Sequence, residues 1–147
     1  MDILVINGPN LNLLGTRQTD IYGNKSYEEL CNEIKHYADK KAVTVEIQQT
    51  NLEGIIIDLL HYAHDKKMAG VILNAAAYTH SSYAIYDAIL AIDVPVVEVH
   101  ISDPKTRKEA FRQTSIIEPA CIKTFSGEGL NSYLKAFDVL RGLNDAA

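Results

Sequence analysis

The segment EVHIS sets a carboxylate and an imidazole two residues apart, at Glu98 and His100. On an extended strand such residues project to the same face. A carboxylate against one ring nitrogen fixes the tautomer and favours the protonated imidazole, which suits a general acid. A satisfied structural pair at a sheet rim fits the same spacing. Arg107 and Arg112 follow in SDPKTRKEAFR and place cations at the same end; a solvated helical turn explains them as readily. A second group lies in the loop NGPNLNLLGTRQTDIYG, where Arg17 and Tyr22 stand five apart. A phenol titrates near ~10, and an adjacent guanidinium favours the phenolate, making the pair a candidate base. An exposed arginine and a tyrosine anchoring the loop is the plainer reading. The third group is NAAAYTHSS, whose small residues let a ligand approach the backbone while Asn74, Thr79, His80 and Ser81 offer hydrogen bonds. A polar loop capping a helix at Ser81 or Ser82 fits as well.

Each group follows an apolar run that reads as a strand. Ile3–Ile6 and Gly70–Leu73 are apolar runs, as buried parallel strands are, and Pro95 starts a fourth strand through Val99. Val43–Ile47 alternates with Thr44 and Glu46, and Ile122–Phe125 is a weaker fifth strand. Helices fall between them. Ser26 and Glu29 form a capping box ahead of a stripe at Tyr27, Leu30, Ile34, Tyr37 and Ala38. Further stripes occur at Leu52, Ile55, Ile56, Leu59 and Ala63, and at Ile85, Ala88, Ile89 and Ile92. The last, Leu130, Leu134, Phe137 and Leu140, follows a turn at Ser126–Gly129. Alternating strands and helices imply a five-stranded parallel sheet covered on both faces, a three-layer α/β/α arrangement. A flavodoxin-like doubly wound order puts ligands outside the carboxyl ends of the strands. The loops Asn7–Gly23, Asn74–Ser82 and His100–Arg112 all emerge there. The first runs about 18 residues before Ser26, long for such a connection, so it reads as a lid with Gly15 and Gly23 as hinges.

The 147 residues are 47% hydrophobic, enough for one domain over 1–147. A net charge of −5 without a basic stripe argues against nucleic acid, yet leaves room for an anionic small molecule, whose binding local cations decide. No apolar run approaches the ~20 residues of a membrane span, and MDILVINGPN turns polar too soon for a signal peptide. Cys31 and Cys121 lack C-x-x-C spacing and read as buried free thiols of a reducing cytoplasm. His61 and His64 share a helix face without companion ligands, so an exposed face is preferred to a metal site.

INGPNLNLLGTR, IYG, TNLEG, LNAAAYTHSS, EVHIS and Phe111–Arg112 occur in the order, and nearly at the spacing, of the type II 3-dehydroquinate dehydratases. The chain resembles that family over essentially its whole length, and NGPNLN-LG-R followed by Y-G is the specific part. The resemblance implies a flavodoxin-like fold, a dodecamer of trimers, and no cofactor or metal. It implies trans elimination of water from 3-dehydroquinate to give 3-dehydroshikimate through an enolate, in aromatic amino-acid biosynthesis (the shikimate pathway) or quinate catabolism. By the same resemblance Tyr22 is the base for the C2 proton, and Arg17 is the lid cation that keeps it ionised. Asn10 holds a water against the enolate oxygen. His100, oriented by Glu98, protonates the departing C1 hydroxyl. Asn74, the Ile101 backbone N–H and Ser102 cradle the carboxylate, and His80 and Arg112 meet the ring hydroxyls. Asp87 reaches into a neighbouring subunit's site.

The chain departs from the family pattern in two places. SDPKTRKEAFR has Asp103 for the usual Asn, lacks a usual His and is one residue longer before Phe111, which bears on Arg112 and leaves a role for Arg107 open. Ala75 and Ala76 replace a more usual Pro/Gly pair. The alternative class is a flavodoxin-like ligand-binding or signalling module without catalysis. A receiver needs acids after the first strand and a phosphorylatable Asp after the third, where Asn7 and Asn74 stand. A flavin or dinucleotide binder needs a phosphate loop, and no G-x-G-x-x-G follows the first strand.

Overall fold

A strand covered on both faces is mostly apolar, and three of the strands follow that pattern, one of them with Glu98 as its charged exception. β1 (Asp2–Asn7) is buried from Ile3 onward, and β3 (Gly70–Asn74) and β4 (Val96–Val99) are buried throughout. The computed structural model describes residues 1–16 and 25–146. β2 (Thr44–Gln49) and β5 (Lys123–Phe125) are the sheet edges, more open to solvent, and the order is β2-β1-β3-β4-β5 with every pairing parallel.

The helices lie on both faces. Ile3, Val5, Ile72, Val97 and Val99 pack against α1 (Tyr27–Lys40) and α4 (Leu130–Ala146) through Leu30, Ile34, Tyr133 and Phe137. Leu4, Ile6, Val71, Leu73 and Val96 pack against α2 (Glu53–Asp65) and α3 (Tyr83–Ala91) through Ile56, Leu60, Ile85 and Ile89. The period-two alternation along β1 thus feeds two cores, giving the expected doubly wound α/β/α sandwich. From β1 the chain moves outward to β2 and then returns to β3 on the other side of β1. The crevice between the carboxyl ends of β1 and β3 is therefore the topological switch point.

Ser26 caps α1 as its sequence predicts, its Oγ accepting the Glu29 N–H at 3.1 Å. Other boundaries shift. β2 begins at Thr44 and runs on to Gln49, because its register with β1 continues to Asn7↔Gln49. The α2 stripe is corrected by more than its boundaries: Leu52 and Ile55 are 59% and 42% exposed, and the buried face is Ile56, Leu60 and Ala63. A run containing Ile55, Ile56, Ile57, Leu59 and Leu60 supports either phase, and packing on the sheet selects one. Cys31 and Cys121 are free but only half-buried. Among the described residues no helix is long and apolar enough to cross a membrane.

Candidate active site

At the switch point β1 and β3 approach closely. The Gly8 N–H donates to the Asn74 carbonyl at 2.7 Å. A Cβ on Gly8 would lie 2.7 Å from the Ala75 oxygen, so only glycine permits this approach. Beyond it Asn10 takes a left-handed conformation with φ 69°. Its N–H is held by Asn51 Oδ1 at 3.0 Å, and the same oxygen accepts Gln49 Nε2 at 3.1 Å. Asn51 belongs to the TNLEG segment, so the β2–α2 loop shapes the first turn of the β1 loop.

Asn74 ends β3 with its side chain buried. Its Oδ1 accepts the Ala76 N–H at 3.2 Å, and its Nδ2 donates to the Tyr133 hydroxyl at 3.0 Å. Ala76 has φ 51°, a left-handed backbone in which a Cβ is strained. Glycine would take this backbone without strain, so the loop here holds alanine in a geometry that favours glycine. The following short turn, Ala76–His80, carries His80, whose Nδ1 donates to the Thr114 carbonyl at 2.9 Å. A carbonyl can only accept, so Nδ1 carries a hydrogen and Nε2 is the ring nitrogen not engaged by Thr114.

Glu98 and His100 are 0% and 7% exposed. His100 Nε2 meets Glu98 Oε2 at 2.5 Å, which leaves Nδ1 as the second ring nitrogen. The same-face reading of EVHIS therefore holds, although His100 lies just beyond the end of β4. Three short turns follow, Pro104–Thr106, Ala110–Gln113 and Glu118–Ala120. Asp103 caps the first, its carboxylate accepting the Lys105 N–H at 3.0 Å, which gives the acid a local structural purpose. Arg112 Nε stands 3.4 Å from Glu109 Oε2, an ion pair without hydrogen-bond geometry, and its guanidinium lies 5.0 Å from the Phe111 ring centroid.

These strand ends enclose a cavity of about 110 Å³. Asn10, Asn74, His80, His100, Ile101, Ser102 and Arg112 all line it, and so does Arg107. Arg112 therefore lies on the cavity wall. Glu98 stands behind His100 rather than on the cavity surface. Asp87 is exposed on α3 and is not among the lining residues. Arg17 and Tyr22 lie outside the described residues. Among the described residues no group of three or more His, Cys, Asp or Glu is placed to hold a metal ion.

From Asn74 on the cavity wall runs a polar chain, buried at Tyr133 and Asn7 and half-buried at Tyr27, that the sequence did not announce. The Tyr133 hydroxyl donates to Asn7 Oδ1 at 2.7 Å, and Asn7 Nδ2 donates to the Tyr27 hydroxyl at 3.3 Å. Burial raises both phenols above the ordinary tyrosine range, with the bonds from Asn74 to Tyr133 and from Asn7 to Tyr27 pulling the other way. Burial likewise raises the Cys31 and Cys121 thiols, which disfavours a reactive thiolate at either position. Tyr133 sits four residues before Phe137 on the buried face of α4, so its burial was legible from the helical period; its partners were not.

Residues 1–141 match the family model described as Dehydroquinase class II. A 3-dehydroquinate dehydratase of Caldicellulosiruptor bescii is 49% identical over 97% of this chain and 98% of its own length. The crystal structure of a type II dehydroquinase from Butyrivibrio crossotus superposes with a TM-score of 0.93 at 47% identity, covering 96% of this chain and 97% of that one. A type II dehydroquinase from Propionibacterium acnes gives 0.90 at 37% identity, covering 95% and 94%.

Proposed function

The chain belongs to the class II dehydroquinase family and is a hydro-lyase that dehydrates 3-dehydroquinate in the shikimate pathway, and we propose how its residues share that reaction. Tyr22, as phenolate beside Arg17, removes the proton from C2, which the neighbouring ketone makes acidic. The electron pair passes into an enolate whose oxygen is held through a water on Asn10. As the carbonyl re-forms, the C1–C2 double bond appears and the C1–O bond breaks. His100 delivers a proton to the departing oxygen, so water leaves. Tyr22 ends with one proton more and His100 with one fewer, and exchange with solvent restores both.

The observation that carries this reading is the buried Glu98–His100 pair. Nε2 is committed to the carboxylate at 2.5 Å, and His100 lines the cavity shared with Asn10, Asn74 and Ser102. A protonated ring held in this way has Nδ1–H to give to the leaving hydroxyl. Asn74, the Ile101 N–H and Ser102 take the substrate carboxylate, and His80 and Arg112 take the ring hydroxyls. Arg107 on the same wall adds positive field for an anionic substrate in a chain of net charge −5. Asp87 acts in a neighbouring subunit, within a dodecamer of trimers. The whole chain serves as one catalytic domain, and two free thiols suit the cytoplasm.

The test is purified protein with 3-dehydroquinate, followed by the ultraviolet absorbance of the conjugated product. A steady rise is expected; a flat trace with folded protein overturns the reading.

A further inference from the structure

Glu98 is fully buried, yet three donors converge on it. His100 Nε2 and the Ser115 hydroxyl both reach Oε2, at 2.5 and 2.8 Å, and the Thr124 hydroxyl reaches Oε1 at 3.2 Å. A carboxylate offers about four lone-pair sites, so most of its capacity is filled without water. Both oxygens are held, which stops rotation of the carboxylate plane.

The two hydroxyls come from separate elements, each fixed by its own backbone. Thr124 is the middle residue of β5, directly in register with Glu98. Ser115 lies in the segment before the Glu118–Ala120 turn; its Oγ accepts the Glu118 N–H at 3.1 Å, and the next residue, Ile116, donates to the Thr79 carbonyl at 2.8 Å. On this side of Glu98 lies a second cavity of about 160 Å³, lined by Glu98, His100, Ser115, Thr124, Glu118 and Lys105 among others. A Glu98 side chain held only by His100 has that space to turn into, and the imidazole would turn with it.

We infer that Ser115 and Thr124 are positioning residues of the dehydration: they lock Glu98 against the second cavity, and through it they aim His100 at the substrate. The inference rests on the reading of His100 as the proton donor. Site geometry held through outer hydrogen bonds is a general requirement for catalysis, because small misplacements of a reacting group cost rate. Neither Ser115 nor Thr124 lines the cavity of the candidate site, so the loss should fall on turnover rather than on binding.

The experiment compares wild type with Ser115→Ala, Thr124→Val, the double variant and Thr124→Ser, each checked for folding by circular dichroism. kcat should fall about 10-fold in each hydroxyl-deleting single variant and further in the double, a share of the ~10²–10⁴ contributed by a positioned general acid. KM should stay within about twofold, and Thr124→Ser should retain most of the rate. The imidazole N–H proton bonded to Glu98 should give a downfield resonance in wild type and Thr124→Ser that broadens or disappears in the double variant. If the double variant does not fold, the single variants and Thr124→Ser decide alone. Wild-type kcat in folded Ser115→Ala and Thr124→Val overturns the inference, as does a loss expressed as KM or one that Thr124→Ser fails to restore. A wild-type protein inert toward 3-dehydroquinate would instead remove the functional reading beneath it.

Discussion

The Tyr133 hydroxyl lies 3.0 Å from Asn74 Nδ2, so a residue of the last helix holds the side chain that ends the central strand of the sheet. The same hydroxyl donates to Asn7 at 2.7 Å, joining the ends of β1 and β3 at the switch point. Tyr133→Phe keeps the ring and removes both bonds, leaving a buried amide N–H and a buried amide oxygen unpaired. Destabilisation of roughly 1–3 kcal/mol is expected in urea unfolding. KM should rise several-fold as Asn74 loses its fixed orientation. Unchanged stability together with unchanged KM would show that the clamp is idle.

The buried phenols also set a pH dependence. Burial raises the folded-state values of Tyr133 and Tyr27 above the ordinary phenol range. Their contribution to stability is therefore fully present below the unfolded value of about 10 and declines as the pH climbs above it toward the folded values. The urea midpoint should hold steady up to about pH 10 on this account and then fall. Tyr133→Phe should fall less steeply, and two phenolate signals should emerge only with unfolding. An identical slope in the variant would contradict the assignment.

Ala76 occupies a left-handed conformation at φ 51°. Strain of roughly 1–2 kcal/mol attaches to a Cβ there, offset in part by the greater chain entropy of glycine when unfolded. Ala76→Gly should therefore raise stability by up to about 1 kcal/mol with activity preserved. Thermal unfolding measures it, and a lowered midpoint would mean that the loop relaxes around alanine without strain.

Tyr22→Phe should lower kcat by about 10²-fold or more, because it deletes the proposed base and keeps the ring. Arg17→Lys should also lose much of its rate, since an ammonium cannot reproduce a planar fork beside a phenolate. Removing the cation in Arg17→Ala should move the ionisation that controls the basic function in kcat/KM to higher pH. The measurement is a pH–rate profile with circular dichroism on each variant. Turnover near wild type in folded Tyr22→Phe would leave His100 as the leading candidate base.

Asp87 is exposed on α3 and is not among the residues lining its own chain's cavity. Its proposed service to a neighbour requires an assembly, so sedimentation under assay conditions should show a species several times the 16.3 kDa of one chain. Asp87→Ala should lower kcat/KM while leaving the isolated fold intact. A fully active monomer would remove Asp87 from the site.

Much of this protein is written locally in its chain. The continuous apolar runs at Ile3–Ile6 and Gly70–Leu73 suit short strands buried on both faces, and Val96–Val99 joins them with Glu98 as its one charged residue. Glu98 and His100 meet because a strand period of two leaves them no other relation. The distinctive loop segments carried the family resemblance, and they are the loops at the carboxyl end of the sheet where the reacting groups are proposed. What the sequence could not decide is which distant groups complete each other. The helical phase of α2 was ambiguous until the sheet selected Ile56, Leu60 and Ala63. Tyr133 finds Asn7 across 126 residues and Asn74 across 59, Asn51 holds Asn10 across 41, and Thr124 reaches Glu98 across 26. Hydrogen bonds of this kind leave no periodic trace, because each depends on where the sheet order and helix packing bring two chain segments. Periodicity reports the environment of a residue, and only the assembled fold reports its partner.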